Sequence, residues 1–418
     1  MMETKEKNKQ WHLIRNDNGE WISDEYAVLL TPLEATILKA LAVKQRKKLS
    51  IQHGEDGLLW CYKHEYESID MSTPPPVEHK LKIKKSYQYS DKVKEYLQKL
   101  EQEILNEKQD MKDRTDDFDI IREMLNQKTG VSDLPQDYNY KFEKQKKTLV
   151  IKLSEKGLKA NMQDNGSAFE SWAIILKFYL SDVITTVTID WEDLHYDDGV
   201  NLHFNRFVYR LTKFIQTYEW ASAARPIPPT PSVLVCNFPI GGAAKYDKHS
   251  EGSEGWIECK YVEKYRYDYE VMDHQLPVGL FYNKVSRDTH YTTGQKSAID
   301  IWAIRNQELF IFELKKPNNK VLGVISELMF YTNILQDILS HRIQYQYDTK
   351  MQVAIENNFR GFGDLYRSYI SGNIQNINAV ILSQNVHPLI QPSLLDFVND
   401  SARLKYCRIK YSMKQVEL

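Results

Sequence analysis

The sequence predicts a mixed α/β protein, α+β overall and built from more than one domain. Three observations lead there. The chain has 418 residues, enough for two to three separate cores. Hydrophobic residues make up 42% of it and the formal net charge is −2, a globular balance. Short, nearly continuous apolar runs at 299–304 and 309–314 are interspersed with stretches of helical periodicity. Strands buried on both faces are therefore expected beside amphipathic helices.

The near-neutral charge argues against a surface coated in basic residues, while leaving room for a local basic groove. Cys61, Cys236, Cys259 and Cys407 lie far apart, without the close spacing of a zinc site, and read as reduced thiols. The polar start MMETKEKNKQ has no apolar signal core, and no apolar run approaches the ~18 residues of a membrane span. A cytoplasmic protein with no membrane partner is expected.

Residues 1–72 read as a small α+β domain of unknown role. Asn16-Asp17-Asn18-Gly19 is a turn signal between short apolar stretches. Thr31, Pro32 and Glu34 carry N-cap, N1 and N3 signals for a helix with the stripe Leu33, Ile37, Leu38 and Leu41. Residues 73–146 read as a charged connector. Pro74-Pro75-Pro76 opens it, and a helix of mixed charge over about 90–112 fills it, followed by a short helix over Asp117–Leu125. Residues 147–418 read as the third domain.

In that domain Thr148–Leu153 is an expected strand, and Ser167 opens an apolar helix. Glu170 stands three residues after Ser167, the spacing of a capping box. A second helix is expected over about 202–220. The forty residues after the strand 233–238 read as irregular. Within them Lys260–Tyr269 interleaves cations with rings, including Lys264 and Arg266. That pattern suits a nucleic-acid contact and equally an ordinary half-exposed strand.

The chemistry concentrates in Ser297–Lys315. Two apolar runs flank Asn306-Gln307, and each run carries a carboxylate, Asp300 and Glu313. A two-residue turn pairs Arg305 with Glu308, and that register sets Asp300 opposite Glu313. Opposed residues have Cβ atoms roughly 4.5–5.5 Å apart, so two like charges there are destabilising, the more so in an apolar sheet. A divalent cation held between them removes the conflict. Hard oxygen donors point to Mg²⁺ or Mn²⁺. Lys315 projects from the face of Glu313 and is placed to orient water and offset charge on a phosphate.

Asp300, twelve intervening residues and then Glu313-Leu314-Lys315 resemble the motif of the PD-(D/E)XK, or restriction-endonuclease-like, nuclease superfamily. Gly294 also matches a pattern of its RecB-like branch. The resemblance implies an αβββαβ core in the C-terminal half. It would comprise a helix near 202–220, strands near 278–282, 298–304 and 309–315, a helix near 322–340 and a strand near 377–383. It implies metal-dependent hydrolysis of nucleic-acid phosphodiesters, DNA favoured over RNA. Asp300, Glu313 and the Leu314 backbone carbonyl would be the metal ligands. Glu327 and Tyr331 fall where that branch has Gln-x-x-x-Tyr. Glu327 departs from the pattern, and its readings are a supporting acid or a surface helix residue. Related folds often take an extra metal-binding acid from a helix ahead of the sheet, which gives Glu170 a second reading beside the capping box. Lys316 and Lys320 beside the motif join Lys264 and Arg266 as candidate phosphate contacts. The large N-terminal part suits a prokaryotic defence or restriction effector, engaging a regulatory partner or a second copy. The alternatives are a silent nuclease-fold module that binds nucleic acid or protein, and an RNA-directed nuclease.

Overall fold

A computed structural model describes residues 13–15, 21–23, 27–30, 35, 38–39, 41–42, 45, 47–53, 59–69, 116–194, 202–241, 251–293, 297–316 and 320–416. The chain divides into two compact units, Met1–Thr115 and Asp116–Leu418. The architecture is α+β with open mixed sheets. Among the described residues no helix is long and apolar enough to cross a membrane.

In the first unit β1 (Leu13–Arg15) pairs with β2 (Trp21–Ser23). A separate antiparallel sheet is formed by β3 (Ala27–Leu30), β4 (Gln52–His53) and β5 (Leu59–Tyr62), with β5 central, and α1 (Lys63–Ser68) follows. Leu38 and Leu41 of the expected helical stripe are buried with Leu30 and Cys61. The Thr31–Glu34 cap and the connector helix over 90–112 lie outside the described residues.

The second unit begins earlier than the sequence suggests. α2 (Phe118–Thr129) precedes the antiparallel pair β6 (Tyr138–Glu143) and β7 (Thr148–Leu153), which spans the expected boundary at 146. After the short α3 (Glu155–Lys159), α4 (Phe169–Tyr179) crosses over to β8 (Thr186–Trp191), parallel to β7. Then α5 (Leu202–Thr217) crosses to β9 (Ala221–Ala223), parallel to β8. The first sheet of this unit is therefore ordered β6-β7-β8-β9.

The helix ahead of the second sheet is a correction. It is α6 (Glu254–Tyr265), inside the stretch expected to be irregular and at the place where a strand was one reading of 260–269. Ser253 caps it by accepting from the Trp256 N–H at 3.2 Å, and Ile257, Tyr261 and Val262 are buried at helical spacing. The helix at 202–217 exists but belongs to the first sheet's crossover. The first strand is also displaced. β11 (Val271–Pro277) is the one that pairs with the hairpin, while β12 (Leu280–Tyr282) joins β10 (Leu234–Cys236) and β15 (Ile343–Tyr345) in a small separate sheet. A short apolar run such as 278–282 carries no register, so the pairing partner was not legible.

The hairpin forms as expected. β13 (Ala298–Arg305) and β14 (Glu308–Lys315) are joined by Asn306 and Gln307, whose φ of +52° and +65° make a type I′ turn. The ladder runs from Arg305–Glu308 to Ile301–Phe312, and its register, continued one step, sets Asp300 across from Glu313. α7 (Val324–Leu339) follows, then α8 (Thr349–Glu356) and α9 (Phe362–Ile370). β16 (Asn376–Ser383) adds parallel to β14. α10 (Pro392–Asn399) and α11 (Ala402–Cys407) lead to β17 (Ile409–Lys414), parallel to β16. The second sheet is ordered β11-β13-β14-β16-β17. Its Trp302, Ile304, Leu309 and Ile311 side chains share a core with Val324, Ile325 and Leu328 of α7. Its Ile301, Ala303, Phe312 and Leu314 pack on α6 from the other side.

Candidate active site

By the period of two along a strand, Asp300, Glu313 and Lys315 fall on the α7 face, in line with Trp302, Ile304, Leu309 and Ile311. Glu327 and Tyr331, one turn apart on α7, are buried at 6% and 5% exposure. Lys315 Nζ donates to Glu313 Oε1 at 2.7 Å and lies 2.8 Å from Glu327 Oε2. Asp300 Oδ2 accepts from the Leu314 N–H at 2.8 Å, which ties the first carboxylate to the strand bearing the second. Glu313 Oε2 is buried without a hydrogen-bond partner.

Burial pushes the Asp300 carboxyl up to about 8, and the charges of Glu258 and Glu327 reinforce it against Lys315 and the Leu314 N–H. Glu313 is pushed well above the carboxylate range by burial, then by Asp300 and Glu327. Burial pulls Lys315 down, but Glu313, Glu327 and Asp300 outweigh it and leave the ammonium firmly charged. Tyr331 is held protonated by burial and by the same three acids.

Two participants were missed by sequence reasoning. Glu258 on α6 is 5% exposed and is the strongest charged influence on Asp300. Its Oε2 accepts from Gln275 Nε2 at 2.8 Å. Gln275 has φ +55°, and it interrupts the β11–β13 ladder at the position across from Asp300. Such a backbone costs on the order of 1 kcal/mol or more and persists where surroundings over-determine it. Here the side chain is fixed on Glu258, and the carbonyl accepts from Arg360 Nη1 at 3.0 Å. The Ser253 cap and the spacing of Ile257, Tyr261 and Val262 were the signals that could have found this helix. Arg206 on α5 is the other. It is 4% exposed, it donates to Thr293 Oγ1 at 2.6 Å and to the Ala160 carbonyl at 3.0 Å, and burial brings its pKa down to about 10. Tyr331 and Glu327 are among the groups that counter this by stabilising its charge.

Glu170 is not part of the cluster. Its carboxylate is committed to Arg210 of α5 through both oxygens, and Ala168, not Ser167, sits at the N-cap, so neither reading of Glu170 holds. Lys264 and Arg266 lie at the exposed end of α6, over the rings of Tyr265 and Tyr267 at 5.3 and 5.7 Å. Lys316 is half-buried and Lys320 exposed on the approach to α7. Gly294 and Pro317–Asn319 lie outside the described residues.

Among the described residues no group of three or more His, Cys, Asp and Glu side chains is preassembled for a metal ion. The ammonium of Lys315 stands 2.7 Å from Glu313 and 2.8 Å from Glu327. The donor set nevertheless fits a hard divalent cation. Asp300, Glu313 and Glu327 offer carboxylate oxygens around Lys315, with the charge of Glu258 bearing on Asp300. The orphaned Glu313 Oε2 supplies an oxygen with no other use.

No family model, curated protein or solved structure matches this chain.

Proposed function

We propose that the second unit is a divalent-metal-dependent phosphodiesterase acting on nucleic acid, with DNA the favoured substrate and Mg²⁺ or Mn²⁺ the cofactor. The observation that carries this reading is the buried Asp300–Glu313–Lys315–Glu327 cluster with its partnerless Glu313 Oε2. The order of helix, three antiparallel-paired strands, helix and parallel strand in α6, β11, β13, β14, α7 and β16 supports the resemblance to the PD-(D/E)XK nucleases. Asp300 and Glu313, with the Leu314 carbonyl, would hold the metal, and Glu258 and Glu327 would adjust its charge. The bound cation supplies positive charge for the phosphate oxygens and acidifies a water. Lys315, raised and charged, donates toward the attacked phosphate. Tyr331 stays protonated as a donor beside the acids. Water adds to phosphorus, the P–O3′ bond breaks, and the 3′ oxygen takes up a proton, leaving 5′-phosphate and 3′-hydroxyl ends.

The two ion pairs of Lys315 favour a second reading, a silent module that binds nucleic acid or protein with its acids already neutralised. One experiment separates them. Plasmid, single-stranded DNA and RNA are incubated with the protein and Mg²⁺, Mn²⁺ or EDTA, beside Asp300→Asn and Lys315→Met. Cleavage that needs metal and is lost in both variants supports the nuclease. Binding that persists in EDTA, with no cleavage under any metal, supports the module.

A further inference from the structure

The two large sheets of the second unit repeat one plan. In the first, an antiparallel hairpin (β6, β7), a crossover helix (α4), a parallel strand (β8), a second helix (α5) and a parallel strand (β9) follow in order. In the second, β13 and β14 form the hairpin, α7 crosses over with β15, α8 and α9 inserted after it, β16 is parallel, α10 and α11 follow, and β17 is parallel again. The two crossover helices meet through equivalent residues. Ser171 and Ser326 are each the third residue of their helix, and both are fully buried. Their contact is reciprocal. The Ser171 N–H donates to Ser326 Oγ at 3.3 Å, the Ser326 N–H donates to Ser171 Oγ at 3.2 Å, and the hydroxyls are 2.8 Å apart. Second helices pack across as well. Tyr209 of α5 meets Phe330 of α7 with ring centroids 5.9 Å apart, and Phe397 of α10 meets Phe178 of α4 at 5.5 Å. This is the signature of a two-fold, isologous contact, here within one chain.

The repeat shows what the first lobe lacks. The parallel ladders end at Lys315–Ser383 in one lobe and at Leu153–Trp191 in the other. Leu153 thus stands where Lys315 does, and Ile151, two residues earlier, where Glu313 does. The hairpin partner of Ile151 is Tyr140, at the place of Asp300. Trp172 follows Ser171 as Glu327 follows Ser326. All four replacements are at most 1% exposed. An acid cluster in one lobe is an apolar plug in the other.

We infer that residues 116–416 form a single-chain pseudo-dimer with one reaction centre, in which the silent lobe fills the place of a second catalytic copy. The inference rests on the proposed nuclease reading for its chemistry. Because α4 of the same chain covers the dyad face of α7, a second chain cannot pair there. With that face closed and one centre per chain, the inference is that a single chain engages the duplex and cuts one strand per encounter, with one water consumed and one P–O3′ bond broken.

The test uses the full chain with supercoiled plasmid in excess and Mn²⁺, and measures particle mass with and without a short duplex. The expected result is one chain per particle and open circles as the first product at a rate proportional to enzyme. A tenfold excess of Glu313→Gln chains should leave that rate unchanged. Two chains per particle, linear DNA formed in step with loss of supercoils, or a rate suppressed several-fold by the inactive chains would overturn the inference. If single strands or RNA alone are cut, the mass and mixing arms decide it. If nothing is cut under any metal, the nuclease reading falls separately, and the mass decides the pseudo-dimer: a monomer upholds it and a dimer removes it.

Discussion

Replacing Lys315 with methionine keeps the length of the stem and deletes the charge on which the cluster depends. The ammonium is 6% exposed and stands 2.7 Å from Glu313 and 2.8 Å from Glu327, themselves 3% and 6% exposed. At an effective dielectric of about 20 each contact is worth roughly 6 kcal/mol before desolvation is subtracted. Breaking a buried pair by removing one partner costs about 3–5 kcal/mol, because the remaining charge is left uncompensated. The orphaned Glu313, already pushed above the carboxylate range, can escape by taking up a proton, so the loss should shrink as pH falls. The second unit has about 300 residues. An unfolding entropy of about 2.1 cal/mol/K per residue then turns the loss into roughly 5–8 °C of Tm. Thermal melts of wild type and Lys315→Met at pH 5 and pH 8, without metal and with Mn²⁺, measure it. Mn²⁺ should return most of the lost stability at pH 8. A variant within about 1 °C of wild type at pH 8 without metal would refute the buried triad.

Three further outcomes follow from the same contacts. The Asp300 carboxyl is pushed up to about 8, whereas an unfolded chain ionises near pH 4, so the folded state holds the extra proton between them. Metal-free stability attributable to Asp300 should therefore fall as pH rises from about 4 to 8, and Mn²⁺ stabilisation should grow over that window, the difference from Asp300→Asn in paired melts reporting both. Glu258→Gln removes the strongest charge raising Asp300, so the pH midpoint for Mn²⁺ binding, followed by titration calorimetry, should move down. An unchanged midpoint would mean that Glu258 does not act on the site. Glu170→Gln breaks the buried pair with Arg210 and should cost about 3–5 kcal/mol in urea unfolding while leaving cleavage per folded molecule unchanged. A selective loss of cleavage would return Glu170 to the site.

By itself the sequence determined the hairpin and its register. A two-residue turn at Asn306 and Gln307 between two apolar runs sets that register, a four-residue loop keeps it, and the structure has the two-residue turn. Local spacing therefore placed Asp300, Glu313 and Lys315 on a common face, and the four-residue step from Glu327 to Tyr331 on one line of a helix. What the neighbours of that hairpin would be was decided only by tertiary structure. Glu258 bears on Asp300 by charge because the fold brings α6 against this sheet, and Gln275 adopts its left-handed backbone where Glu258 and Arg360 hold it. Glu170 carried the letters of a cap or a ligand, yet Arg210, forty residues on, claimed both its oxygens. The pairing of Ser171 with Ser326 across 155 residues had no local signal. Spacing encodes periodicity along one element, whereas partners brought together by packing are set by which faces the whole core must bury.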